Sequence, residues 1–90
     1  MKIEQVWRSG WDEYTKQAVD GIEMMFDLNG RTWFARFTLD GKIVRVDEGY
    51  PQSGRTLQVM RDDWVQAIVK KFGPQFEKAL RPEQLLKPTA

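Results

Sequence analysis

The chain has 90 residues and a mass of 10.6 kDa, which fits one small domain and no second. Apolar residues make up 41% and charged residues 30%, a soluble globular composition that excludes a disordered or fibrous chain. Fourteen basic residues balance thirteen acidic ones to a net charge of +1, so no bulk electrostatic affinity for nucleic acid or an acidic membrane is expected.

There is no Cys and no His. That excludes disulfide scaffolds, thiol and imidazole catalysis, and Cys- or His-ligated metals. Carboxylate and Lys chemistry remains open, as in glycoside hydrolysis. A chain this short buries only about 60–65% of its unfolded surface, however, which leaves little material for a deep cleft. The expectation is a non-enzymatic protein without cofactor or metal. Met1–Gln5 lacks a signal-peptide apolar core, and no apolar run is long enough to cross a membrane. The expected location is cytoplasmic, with no membrane partner.

The N-terminal segment, residues 1–21, has two readings. Ser9 and Asp12 resemble a helix-capping pair, and Trp11, Tyr14 and Ala18 share one helical face. Gly21 would then end the helix. Alternatively, Asp20-Gly21 is a hairpin turn and Trp11–Val19 a strand. That places Glu13, Thr15 and Gln17 on a core face, so the helix is favoured.

Residues 22–48 read as an antiparallel meander. Asn29-Gly30 and Asp40-Gly41 suit two-residue hairpin turns that need positive φ. Ile22–Leu28, Arg31–Leu39 and Lys42–Glu48 have strand length and composition. The first turn pairs Phe26 with Trp33, Met24 with Ala35 and Ile22 with Phe37. The second pairs Phe37 with Val44 and Ala35 with Val46. With a side-chain period of two, one face collects Ile22, Met24, Phe26, Leu28, Trp33, Ala35, Phe37, Leu39, Val44 and Val46. That face is the expected core. The other carries Glu23, Met25, Asp27, Thr32, Phe34, Arg36, Thr38, Ile43, Arg45 and Asp47.

Residues 49–61 read as a loop or short strand. Gly49–Arg55 lacks the ending of a phosphate-binding loop and reads as a connection. Thr56–Met60 alternates like a fourth strand or leads into the helix. From Asp62 the period changes. Trp64, Val65, Ile68, Val69, Phe72, Phe76, Ala79 and Leu80 recur at helical spacing, so residues 62–87 read as the helical part. Asp62 suits the N-cap. Gly73-Pro74 is expected to break or kink the helix, with one further turn over Glu83–Lys87. The expected fold is therefore α+β: a three-stranded antiparallel meander, four-stranded if Thr56–Met60 joins it. Its C-terminal amphipathic helix packs on the apolar face, and a short helix is possible before it.

Two surfaces stand out as candidate sites. The first is the polar face of the meander. Arg36 and Arg45 fall opposite one another, which is unfavourable unless anions compensate. Phe34, Met25 and Ile43 flank them, and Trp7 and Trp11 add interface-type aromatics. This set reads as a protein-binding surface. The competing structural reading is that Glu23, Asp27 and Asp47 neutralise the arginines and the N-terminal segment covers the apolar spots. The second surface is basic. Residues 1–30 hold three basic and six acidic residues, whereas residues 70–90 hold five basic and two acidic. Arg31, Arg36, Arg45, Lys70 and Lys71 form the nucleic-acid-binding alternative.

The layout of a meander followed by a helix is similar to that of the double-stranded-RNA-binding domain and of the AP2-like arm-binding domain of phage integrases. Asp62 and Asp63 stand where the first would carry cations, and Glu23, Asp27 and Asp47 dilute the arginines of the second. The residues assign neither family. The composition favours an accessory, adaptor or inhibitor protein, a type common in mobile elements, that binds another protein. Self-association through an exposed strand edge or helix packing is also possible.

Overall fold

A computed structural model describes residues 1–13, 15–49 and 61–81, and the backbone of residues 58–59. The chain forms β1 (Lys2–Ser9), β2 (Gly21–Leu28), β3 (Arg31–Phe37), β4 (Ile43–Glu48), β5 (Gln58–Val59) and α1 (Asp62–Ala79). The strands make one antiparallel sheet in the order β1-β2-β3-β4-β5. This is the expected α+β class. The described part of the expected fourth strand, Gln58–Val59, pairs with β4; residues 56, 57 and 60 lie outside the described set.

β2 and β3 pair in the expected register, with Ile22 opposite Phe37 and Phe26 opposite Trp33. Both turn residues take positive φ, 54° at Asn29 and 73° at Gly30. The β3–β4 connection differs. Thr38 N–H donates to Lys42 O at 2.8 Å and Gly41 N–H donates to Thr38 O at 3.0 Å, while only Gly41, with φ 91°, is left-handed. This is a three-residue loop over Leu39, Asp40 and Gly41. It moves Ile43 opposite Phe37. A bulge at Val44 then restores the expected pairs Arg36–Arg45 and Ala35–Val46. Two expectations fail as a result. Ile43 leaves the polar face and packs against the core, whereas Val44 and Leu39 leave the core and are 54% and 50% exposed.

The inner face holds Ile22, Met24, Phe26, Trp33, Ala35, Phe37 and Val46, all buried, with Leu28 packed beside them. α1 covers it with Val65, Ile68 and Phe76. The Phe76 ring lies 5.6 Å from Phe26 and 5.7 Å from Phe37, and Trp64 stacks on Trp33 at 4.8 Å. α1 does not break at Gly73-Pro74 but runs through Pro74 to Ala79. Pro74 lies on the exposed side of the helix, and burial of Phe76 beyond it holds the chain in the helix despite the missing N–H. The N-cap is Arg61 rather than Asp62; Asp62 and Asp63 occupy the first turn, at the positive end of the helix dipole. The additional turn expected over residues 83–87 lies outside the described residues.

The N-terminal helix is not formed. Lys2–Ser9 is a strand, and residues 10–13 and 15–20 are irregular and bridged at Asp12 and Gln17. Asp12 N–H donates to Gln17 O and Lys16 N–H to Asp12 O, both at 2.8 Å, with Lys16 at φ 56°. Ser9 Oγ bonds the backbone of Trp11 instead of capping a helix. Gly21 is not a turn residue either. It opens β2 opposite Ser9, where a Cβ would lie 2.8 Å from Arg36 Nη2 and 2.9 Å from Phe37 O.

Candidate binding surface

The register builds one row of polar side chains across the outer face: Trp7, Glu23, Arg36 and Arg45. Arg36 is the hub of this row. Its Nη1 donates to Glu23 Oε2 at 2.9 Å and to Trp11 O at 3.2 Å. Its Nη2 donates to Val19 O, and its Nε lies 3.7 Å from Asp12 Oδ2. Trp7 Nε1 donates to the other Glu23 oxygen at 3.0 Å. Asp12, Glu23 and Arg36 are all buried. One guanidinium thus fastens residues 10–20 over the sheet, taking carbonyls that a helix would have used.

The next row, Gln5, Met25, Phe34 and Asp47, places Phe34 beside Trp7 with ring centroids 6.1 Å apart. Phe34 is 1% exposed and Asp47 is fully buried. Arg45 Nε lies 3.9 Å from Asp47 Oδ2. The two arginines set opposite one another are therefore each compensated by acids, Arg36 by Glu23 and Asp12 and Arg45 by Asp47; Asp27, the third acid expected in this role, instead accepts from the Thr32 hydroxyl.

The anticipated protein-binding set does not form one accessible patch. Phe34 and Arg36 are buried, Ile43 belongs to the inner face, and Met25, Trp7 and Arg45 are half-buried. Trp11 alone is largely accessible, at 47%. Tyr14 lies outside the described residues. The nucleic-acid set does not converge either. Arg31 pairs with Glu48 at 3.0 Å beside the Asn29-Gly30 turn, Arg36 is enclosed, and Lys70 and Lys71 lie on α1.

A different set shares one end of the sheet. Connections in an antiparallel meander alternate between the two ends of the sheet. The β1–β2 connection and the β3–β4 turn therefore share one end, opposite the Asn29-Gly30 turn. The exposed large apolar residues of the described chain are Trp11, Val19, Leu39 and Val44. All four belong to this end: Trp11 and Val19 on the first connection, Leu39 on the turn, Val44 in the bulge beside it. Trp11 and Val19 are eight residues apart in sequence, yet their carbonyls meet on one guanidinium. On the inner side of the same end, a cleft of about 460 Å³ opens between the β3–β4 turn and the second half of α1, floored by Phe37, Ile43, Val69, Phe76 and Leu80.

Val19, Leu39 and Val44 were not legible as surface residues. Val44 is exposed because of a bulge that no residue pattern announces. Two exposed carboxylates here have shifted affinities. Glu13 is held below its ordinary value by a hydrogen bond from Lys16, and Asp40 by one from the Thr38 hydroxyl. No group of three or more acidic side chains placed to hold a metal occurs among the described residues. Among them, no helix is long and apolar enough to cross a membrane.

No family profile, curated protein or solved structure matches this chain. The sheet has five strands, more than the three-stranded meander on which the two nucleic-acid-binding layouts were compared.

Proposed function

We propose that the protein is a non-enzymatic binding module that docks another protein through the end of its sheet formed by residues 10–20 and the β3–β4 turn. The gathering of Trp11, Val19, Leu39 and Val44 at that end carries this reading. Single exposed apolar residues are ordinary, but several at one end of a small domain mark an interface. Trp11 is the natural anchor, since tryptophan dominates binding hot spots. Its Nε1 donates to Glu13 Oε2 at 3.1 Å, which orients the ring. The connection that carries it is fixed by Arg36, so little ordering entropy remains to be lost on docking. Of the earlier candidates, Arg36 supports this surface from beneath through the carbonyls of Trp11 and Val19.

The test is affinity capture with the wild-type chain and with a Trp11→Ser/Val44→Ser variant whose unfolding midpoint matches it. A protein retained by the wild type is then purified and titrated. Binding at least tenfold weaker for the variant is expected. Equal binding by both chains would reject this surface.

A further inference from the structure

Of the twelve described cations, six are paired with a carboxylate and six are not: Arg8 on β1 and Lys42 beside the β3–β4 turn stand singly, and the other four belong to α1 and its end. Lys2, Lys16, Arg31, Arg36, Arg45 and Arg61 each lie within 4.0 Å of a carboxylate oxygen. Lys70, Lys71, Lys78 and Arg81 are all exposed, and none of them has an ion-pair partner among the described residues. All four belong to the second half of α1 and its end. Only one acid, Glu77, lies between Lys70 and Arg81, so this short segment is +3, four basic against one acidic.

The placement is one-sided. At 3.6 residues per turn, Lys70, Lys71 and Lys78 fall within roughly a 100° arc, and Arg81 follows the last turn. The arc faces away from Val65, Ile68 and Phe76, which are buried against the sheet. It spans about 16 Å along the axis. Favourable interaction with the negative helix end accounts for Lys78 and Arg81, but that effect fades within the last turn. It does not account for Lys70 and Lys71 in the middle of the helix. Lys78 and Arg81, three residues apart, repel one another.

We propose that this stripe is a second site that binds the phosphate backbone of duplex nucleic acid. The ligand class follows from what the stripe lacks. Its exposed neighbours are Gln66, Ala67, Pro74 and Gln75 with the acids Asp63 and Glu77, so it offers no large apolar anchor for a protein interface. The apolar side of α1 is already used against the sheet, so none remains to enter a membrane. What remains is charge at fixed spacing, and phosphate binding requires no more. A duplex carries about one charge per 1.7 Å of axis, so 16 Å offers ample partners for four cations. The near-zero net charge of the whole chain conceals the stripe, because residues 1–30, with three basic and six acidic residues, carry the counter-charge.

The experiment is a fluorescence-anisotropy titration of a labelled 20-base-pair DNA duplex against the full chain at several salt concentrations. Four contacts predict a slope of log affinity against log salt of about −3.6, a loss of about a hundredfold between 50 and 200 mM. Lys70→Gln/Lys71→Gln should reduce the slope by about two contacts. Lys2→Gln/Lys16→Gln removes the same charge from the sheet side and should leave the slope unchanged. Unfolding midpoints establish that both variants fold. Absence of duplex binding at low salt would overturn the proposal, and so would equal losses in the two variants. Preference for anionic phosphatidylserine vesicles over the duplex at matched salt would overturn the ligand class.

Discussion

The two faces of one sheet are both buried, by opposite means. The inner face is dry and apolar, covered by the helix through Phe76, Ile68 and Val65. The outer face is closed by an irregular connection, held by one arginine between two carboxylates and two carbonyls. Apolar burial is non-directional and gains with area. Ionic burial holds only if every charge is met, because desolvation costs several kcal/mol per ion. The inner face should therefore respond to mutation gradually and the outer face abruptly.

The largest effects probe that contrast directly. Arg36→Met leaves Glu23 and Asp12 buried without their cation and should cost ~3–5 kcal/mol. Adding Glu23→Gln to Arg36→Met should recover part of the loss, because one uncompensated charge is removed. On the inner face, Phe76→Ala should cost a similar ~3–5 kcal/mol through the lost transfer energy and the cavity left behind. Here no second polar substitution restores stability. Chemical denaturation of the wild type, these three variants and Phe76→Ala/Glu23→Gln measures all of these values. Recovery in neither or both of the two backgrounds would abolish the distinction between the faces.

Gly21 joins the two faces, because its missing side chain lets the guanidinium of Arg36 lie against the start of β2. A methyl group there must displace Arg36 or the Phe37 carbonyl. Gly21→Ala should cost ~1–3 kcal/mol, as overpacking does. It should also expose residues 10–20 to proteolysis before the sheet unfolds. The surface pair Arg31–Glu48 gives the contrasting case: Arg31→Ala should change stability by less than ~1 kcal/mol, and less still at high salt. A large Arg31 effect would mean that surface and buried pairs are not separated as the geometry implies.

The same contrast explains what could be seen from residues alone. The β2–β3 hairpin was legible because Asn29-Gly30 fixes a two-residue loop and both strands then agree on one apolar parity. β1 was not legible because its bulge near Glu4 puts Ile3 and Val6, an odd number apart, on the same core-facing side. The outer face was legible as a row, Glu23 opposite Arg36 opposite Arg45, but not as a buried row. Charged residues read as surface unless the element that covers them is known, and residues 10–20 carry helix-like spacing that their tertiary hydrogen bonds override. The exposed end followed from these two unseen features. Trp11 and Val19 are positioned by the covering connection, and Leu39 and Val44 by a loop one residue longer than the Asp40-Gly41 pair suggests.

That longer loop supplies the smallest effect. Thr38 stands at its base and uses its hydroxyl twice, accepting from Lys42 N–H at 3.0 Å and donating to Asp40 Oδ1. The second bond favours the ionised form, so the folded Asp40 carboxyl titrates below its ordinary value. A carboxyl depressed by folding contributes stability that is fully present above its unfolded pKa and lost as pH falls through its folded pKa. Asp40 is fully exposed and screened, so the contribution is small and confined to acid. NMR titration of the Asp40 side-chain carbon should give a midpoint below that of an unstructured peptide, and Thr38→Val should move it up towards the peptide value. The same variant removes the hydroxyl acceptor for Lys42 N–H. If Val44 and Leu39 are exposed because this loop is held at three residues, Thr38→Val should also perturb the amide signals of both. An unchanged Asp40 midpoint with unchanged Leu39 and Val44 signals would show that the loop length is set by Gly41 and the bulge, without the Thr38 hydroxyl.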